Sequence, residues 1–132
     1  MRILSIVSDL NGGGTQRVAV DVAELYRAAG YESAILARLG GGPRSAGLDE
    51  SGITTFIENA DISGTAVSEA LAWNPDIIHI HRPGLNNPNE GRLLRLFKKD
   101  NPAVRVIEHS HFGRADYSRD GSLIDVHIQI SL

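Results

Sequence analysis

The chain has 132 residues, 13 of them basic and 16 acidic, for a formal charge of −3, and it contains no cysteine. That length predicts one domain over residues 1–132, large enough to fold around its own core without staples. The missing thiols exclude disulfides, thiolate catalysis and cysteine-bound zinc, while the negative charge and 5% aromatic content argue against a nucleic-acid partner.

The chain opens on an apolar stretch, Ile3, Leu4, Ile6 and Val7, which predicts a strand. It passes through Asp9, Leu10 and Asn11 into Gly12-Gly13-Gly14 and then a helix from near Thr15. Glycines let the backbone come close to a ligand, and the free N–H groups and positive end of the following helix favour negative charge. Asn11, Gly12, Gly13 and Gly14 are therefore expected to receive a phosphate or carboxylate; a tight turn with no ligand is the alternative. Val18, Val22, Leu25 and Ala29 recur at helical spacing, and Gly30 stands where a left-handed C-cap belongs.

A second strand is predicted over 32–38, then a mobile loop over 39–51 that contains Gly40-Gly41-Gly42-Pro43. A third strand fits 53–58, and a helix fits 63–73, stopped by Asn74-Pro75. Asp76-Ile77-Ile78-His79-Ile80-His81 reads as a central parallel strand covered on both faces. A polar loop over 83–89 leads to a helix over 90–100 that turns Leu93, Leu94 and Phe97 inward. A fifth strand over 104–108, a polar irregular stretch over 112–122 and a last strand over 125–130 complete the chain. Strands alternating with helices imply an α/β fold, a Rossmann-like three-layer α/β/α domain with a mainly parallel sheet ordered 3-2-1-4-5 and a sixth strand at the edge. Ligands of such sheets bind beyond the carboxyl ends of the strands, where the winding reverses between the first and fourth.

Four of the five histidines, His79, His81, His109 and His111, fall near the ends of the fourth and fifth strands. Flanking isoleucines predict that His79 is buried and bonded to the backbone. His81, His109 and His111 are expected to be more exposed, able to donate to a sugar hydroxyl or a developing oxyanion as neutral rings, or to pair with phosphate when charged. His109 and His111 share a face only if the fifth strand continues that far. Zinc held by three histidines with Asp9 or Glu108 is the rival reading, but no His-Glu-x-x-His signature is present, and no metal is expected. His127, in mid-strand, reads as structural.

Thr15-Gln16-Arg17 lacks the lysine of a triphosphatase loop, which excludes that class. A dinucleotide fingerprint starting at Gly12 and Gly14 meets Arg17 where its third glycine belongs. Arg38, at the end of the second strand, suits a 2′-phosphate, so an NADP-dependent reductase is one alternative function. A non-catalytic Rossmann-like binding module is another.

Gly13-Gly14-Thr15-Gln16-Arg17-Val18, Gly30-Tyr31-Glu32, Asp76-Ile77-Ile78-His79-Ile80-His81 and Val106-Ile107-Glu108-His109-Ser110-His111, in this order, resemble the N-terminal, acceptor-side half of family 4 retaining glycosyltransferases of the GT-B fold. The likeness spans nearly the whole chain, with Gln16 replacing the family's glutamate and Tyr31 its histidine. It implies that Gly13 and Gly14 line the cleft near the donor phosphates and the acceptor, and that His109 or His111 contacts the transferred sugar. It implies no metal or resident cofactor, and a nucleotide-sugar co-substrate bound mainly by a second domain, so that the chain is a fragment, inactive alone. Arg82, Arg114, Tyr117 and Arg119, read as loop residues, are candidates for contacting a sugar, lipid-linked or small-molecule acceptor. The implied setting is the cytoplasm, at the inner face of the membrane.

Overall fold

The computed structural model describes residues 1–59, 61–82, 87–111 and 119–129. In chain order the elements are β1 (Arg2–Val7), α1 (Gly14–Ala28), β2 (Glu32–Ala37), α2 (Ser45–Glu50), β3 (Thr54–Ile57), α3 (Thr65–Trp73), β4 (Ile77–Arg82), α4 (Pro88–Asp100), β5 (Arg105–Ser110), a 3-10 turn (Arg119–Leu123) and β6 (Val126–Gln129). All six strands run parallel in one sheet, in the order β3-β2-β1-β4-β5-β6. This is the predicted order, with the sixth strand beyond β5.

The period of two along each strand divides the core in two. One face, carrying Leu4, Ile6, Leu36, Phe56, Ile78, Ile80 and Val106, packs against Ala66, Val67 and Ala70 of α3 and Leu93, Leu94 and Phe97 of α4. The other, with Val7, Ile35 and Ala37, packs against Ala19 and Ala23 of α1 and Leu48 of α2. The face of α1 against the sheet is thus its alanine row, not the predicted row of Val18, Val22, Leu25 and Ala29; Leu25 is 66% exposed. Small side chains let the helix axis lie close to the strands, and the larger apolar groups are left to its flanks.

The helix ends follow local chemistry. Gly30, at φ +96°, closes α1 in a Schellman turn, with its own N–H donating to Arg27 and that of Tyr31 to Tyr26. Asn74 takes the left-handed conformation after α3, directly before Pro75. α4 begins earlier than predicted because Asn87 caps it, accepting from Asn89 N at 2.9 Å, and Pro88 occupies its first turn. The expected mobile loop over 39–51 is corrected: its second half folds as α2, anchored by buried Leu48. Its first half lies against the glycine-rich turn, since Arg44 N donates to Leu10 O and a Cβ on Gly42 would stand 2.4 Å from that same oxygen.

Candidate functional site

The glycine-rich turn leaves β1 at the carboxyl end of the sheet. Asp9 organises it, its Oδ1 accepting from Asn11 N at 2.9 Å and from Gln16 Nε2 at 3.1 Å. A glutamate at position 16 has no N–H to give Asp9, so the amide is the complementary partner here. Gly13 is the N-cap of α1, with no side chain capping the helix and no acidic residue in its first turn. Gly12 and Gly14 face open space. None of the three takes a positive φ, so no unusual turn requires them; a Cβ on Gly13 would meet Gln16 Oε1, while Gly12 and Gly14 leave the backbone open to close approach. The first-turn amides form an electropositive opening suited to phosphate or carboxylate. Arg44, which no local motif in the sequence marks, is half-buried beside it, its Nε donating to Asn11 O at 3.2 Å.

The second wall comes from β4 and β5. Their register places His81 opposite His109, and the ladder continues one residue past β5 through His111 N donating to Arg82 O at 3.0 Å. The condition for His109 and His111 to share a face is therefore met, and all four histidines stand on the α1 side of the sheet. His79 and His81 stack at 4.2 Å between ring centroids, His109 and His111 at 4.3 Å. His81 Nδ1 and His111 Nε2 lie 3.2 Å apart, one donating to the other.

Two expectations are corrected. His79 is buried as predicted, but its Nδ1 meets Tyr26 Oη at 2.8 Å instead of the backbone, because α1 crosses above it. His81, expected to be exposed, is 2% exposed. Burial holds every member of the group neutral at ordinary pH: His79 is lowered to about 4, with His109 and His111 adding repulsion, and His81 to about 2 for the same reasons plus His79. His111 is lowered to about 4 by burial and then by His109, and His109 is lowered by burial. Half-buried His109 and His111 thus offer neutral imidazoles, suited to hydrogen bonds with hydroxyls and unsuited to neutralising a phosphate.

The remaining candidates separate. Arg82 is no loop residue: it ends β4, buried, with Nη1 3.0 Å from Glu108 and Nε 3.7 Å from Glu90, on the face opposite the histidines. Glu108 is committed there, with His127 Nδ1 at 3.3 Å from its other oxygen, so it cannot complete a zinc set with His81 and His109. Arg119 begins the 3-10 turn. Arg114 and Tyr117 lie outside the described residues. Arg38, the premise of the reductase alternative, is buried with Nη1 2.6 Å from Asp61, whose other oxygen accepts from Asn89 Nδ2 at 2.6 Å. Its charge is spent within the fold.

A concavity of about 220 Å³ lined by Arg27, Glu32, Ser33, Gly52, Thr54 and Trp73 lies at the amino ends of β2 and β3. Parallel sheets place ligands at the opposite end, so we take the glycine and histidine walls as the site. No helix among the described residues is long and apolar enough to cross a membrane.

This architecture defines the class, a Rossmann-like parallel α/β domain with its candidate site at the sheet's carboxyl end. No protein-family model matches the chain, and no curated protein does. Solved structures of similar fold are α-glucosyltransferases. One, in complex with UDP and a 13-mer DNA containing an HMU base, superposes with a TM-score of 0.63 at 18% identity, covering 96% of this chain and 37% of that chain. Another, in complex with UDP, gives 0.55 at 20% identity, covering 89% and 29%. A third, with UDP and a 13-mer DNA containing a central A:G mismatch, gives 0.59 at 18% identity, covering 96% and 36%. This chain spans about a third of the length of those it matches. The likeness extends to the fold, and it corrects one exclusion: two of these glucosyltransferases hold DNA, so low charge and few aromatic residues do not rule out a nucleic-acid partner.

Proposed function

We propose that this chain is the acceptor-side half of a retaining glycosyltransferase of the GT-B kind, which moves a sugar from a nucleotide-sugar donor to a hydroxylated acceptor. In this reading a second α/β domain holds most of the nucleotide, and transfer takes place across the cleft between the two, in the cytoplasm. The observation that carries it is the pairing, at one end of the sheet, of an uncapped α1 N-terminus behind open glycines with a half-exposed neutral histidine, His111. The shared fold with UDP-bound glucosyltransferases supports it.

Transfer with retention passes through an oxocarbenium-like transition state as the diphosphate departs. Negative charge then grows on the leaving group, and the first-turn amides of α1 are aimed to meet it without reorganisation. Arg44 adds a positive charge beside the turn. His111, kept neutral, hydrogen-bonds a hydroxyl of the transferred sugar, with His81 holding its Nε2 and setting the ring.

The test is transfer by the intact protein from nucleotide sugars to a panel of sugar, lipid-linked and DNA acceptors, with the product anomer read by NMR. Retention is expected, and His111→Ala is expected to lower kcat by about 100-fold. An inverted product would overturn retention, and near wild-type turnover in His111→Ala would overturn the role given to that ring.

A further inference from the structure

On the α1 side of β4 and β5, His79, His81 and His109 each offer a ring nitrogen within 4.8 Å of the other two. The same three rings each carry a buried nitrogen with no hydrogen-bond partner among the described residues: Nε2 of His79, Nε2 of His81 and Nδ1 of His109. Buried polar atoms are nearly always satisfied, and three bare ones on adjoining rings point to a shared guest that accepts lone pairs. On His79 and His81 the other nitrogen is engaged, at 2.8 Å from Tyr26 Oη and 3.2 Å from His111 Nε2. With Nδ1–H donating to those partners, each Nε2 presents its lone pair. That is the outer-shell arrangement which orients ligating histidines.

We propose that His79, His81 and His109 bind one divalent transition-metal ion of the zinc or cobalt type, leaving its fourth position open to water or a ligand. Three imidazoles without thiolate or carboxylate suit such ions, whereas magnesium and calcium require oxygen ligands. Glu108 faces the opposite side of the sheet, and Asp9 is taken by Asn11 and Gln16. In the metal-free arrangement the rings are partly stacked, His79 lying 16° from His81 and 15° from His109, with His81 and His109 tilted by 31°. Tetrahedral zinc with Zn–N of about 2.0–2.1 Å brings nitrogens to roughly 3.4 Å of one another. Capture therefore turns the rings out of the stack while the β4–β5 ladder holds their backbones in place. The absence of a local signature in the sequence follows from this design, because the ligands come from two strands that pair only in the fold.

The inference is independent of glycosyl transfer and is read by binding alone. The intact protein, stripped with chelator, is titrated with Co²⁺ and then Zn²⁺ by calorimetry and visible absorption. Expected are one equivalent of metal, the intense visible bands of tetrahedral cobalt, and their loss on zinc addition. His81→Gln and His109→Gln should each weaken binding at least about 100-fold and Tyr26→Phe about 10-fold, the latter as an outer-shell partner, while His127→Ala leaves it unchanged. His109 is half-buried, so His109→Gln decides the matter even where His81→Gln does not fold. Absence of stoichiometric binding by the wild-type chain, or unchanged affinity in His109→Gln, would overturn the site.

Discussion

Asp125 sits just before β6 and extends the sheet with a side chain. Its N–H donates to Val106 O at 2.9 Å, while its Oδ2 accepts from Val106 N at 2.8 Å, so one residue supplies both halves of a ladder contact. That backbone N–H holds the carboxyl below its usual range, with Lys98 and Arg105 assisting and burial opposing. The unfolded carboxyl titrates near 3.8. Above that pH both states are ionised and the contribution to stability is complete; it is lost as pH falls through 3.8 and on through the lower folded value. Asp125→Asn is therefore expected to cost about 1 kcal/mol at pH 7, less than a buried charged hydrogen bond because the side chain is 29% exposed. The deficit should shrink below about pH 4. Urea titrations of both proteins at pH 7 and pH 3 check this, and an equal deficit at both would refute it. Arg82 shows the limit of reading at this scale. A charged residue after an apolar run looks like the start of a solvated loop, and nothing local reveals that Glu90 and Glu108, 8 and 26 positions on, arrive to enclose it.

Among the elements, the strands are legible because apolar runs of strand length bounded by turn residues admit few alternatives, and β5 runs to Ser110, past the predicted end at residue 108, through the polar residues His109 and Ser110. α2 was not legible. It has six residues, a glycine at position 47 and Leu48 as its buried anchor, too little for a periodic signal to rise above Gly40-Gly41-Gly42-Pro43. Two glycines of this segment, Gly42 and Gly47, have opposite physical meaning. At Gly42 an added Cβ meets the Leu10 carbonyl oxygen at 2.4 Å and Asn11 N at 2.8 Å, backbone atoms that cannot step aside without moving the glycine-rich turn. At Gly47 there is nothing within 4 Å. Gly42→Ala is expected to destabilise by about 1–3 kcal/mol and to weaken anion binding at the turn. Gly47→Ala should stabilise by about 0.4–1 kcal/mol, by restricting the unfolded chain at a helical position. Thermal melts of the two variants should shift in opposite directions, and a shared direction would disprove the packing account.

At the scale of the whole molecule, the strand order follows from β1–α1–β2 and β4–α4–β5 units wound outward from a common centre, which right-handed crossovers leave little freedom to vary. That geometry directs a ligand to the carboxyl end of the sheet, but it does not give the depth at which the histidines lie, His79 and His81 both being buried. His79 is level with Ser5 in mid-sheet, so the histidine row runs from the interior out to His111 at the rim. Among the described residues, the rim and the glycine-rich turn face a ligand at the carboxyl end, while the concavity at the amino ends of β2 and β3 is at the opposite end. Hydrogen exchange separates the two locations in one experiment. A bound nucleotide sugar is expected to slow exchange at residues 12–16, where the first amides of α1 have no intrahelical partner, and around residues 109–111. Ser33, Gly52 and Thr54 should exchange as in the free protein. Protection confined to those three would move the ligand to the far end of the sheet and remove the glycine-rich turn from the mechanism.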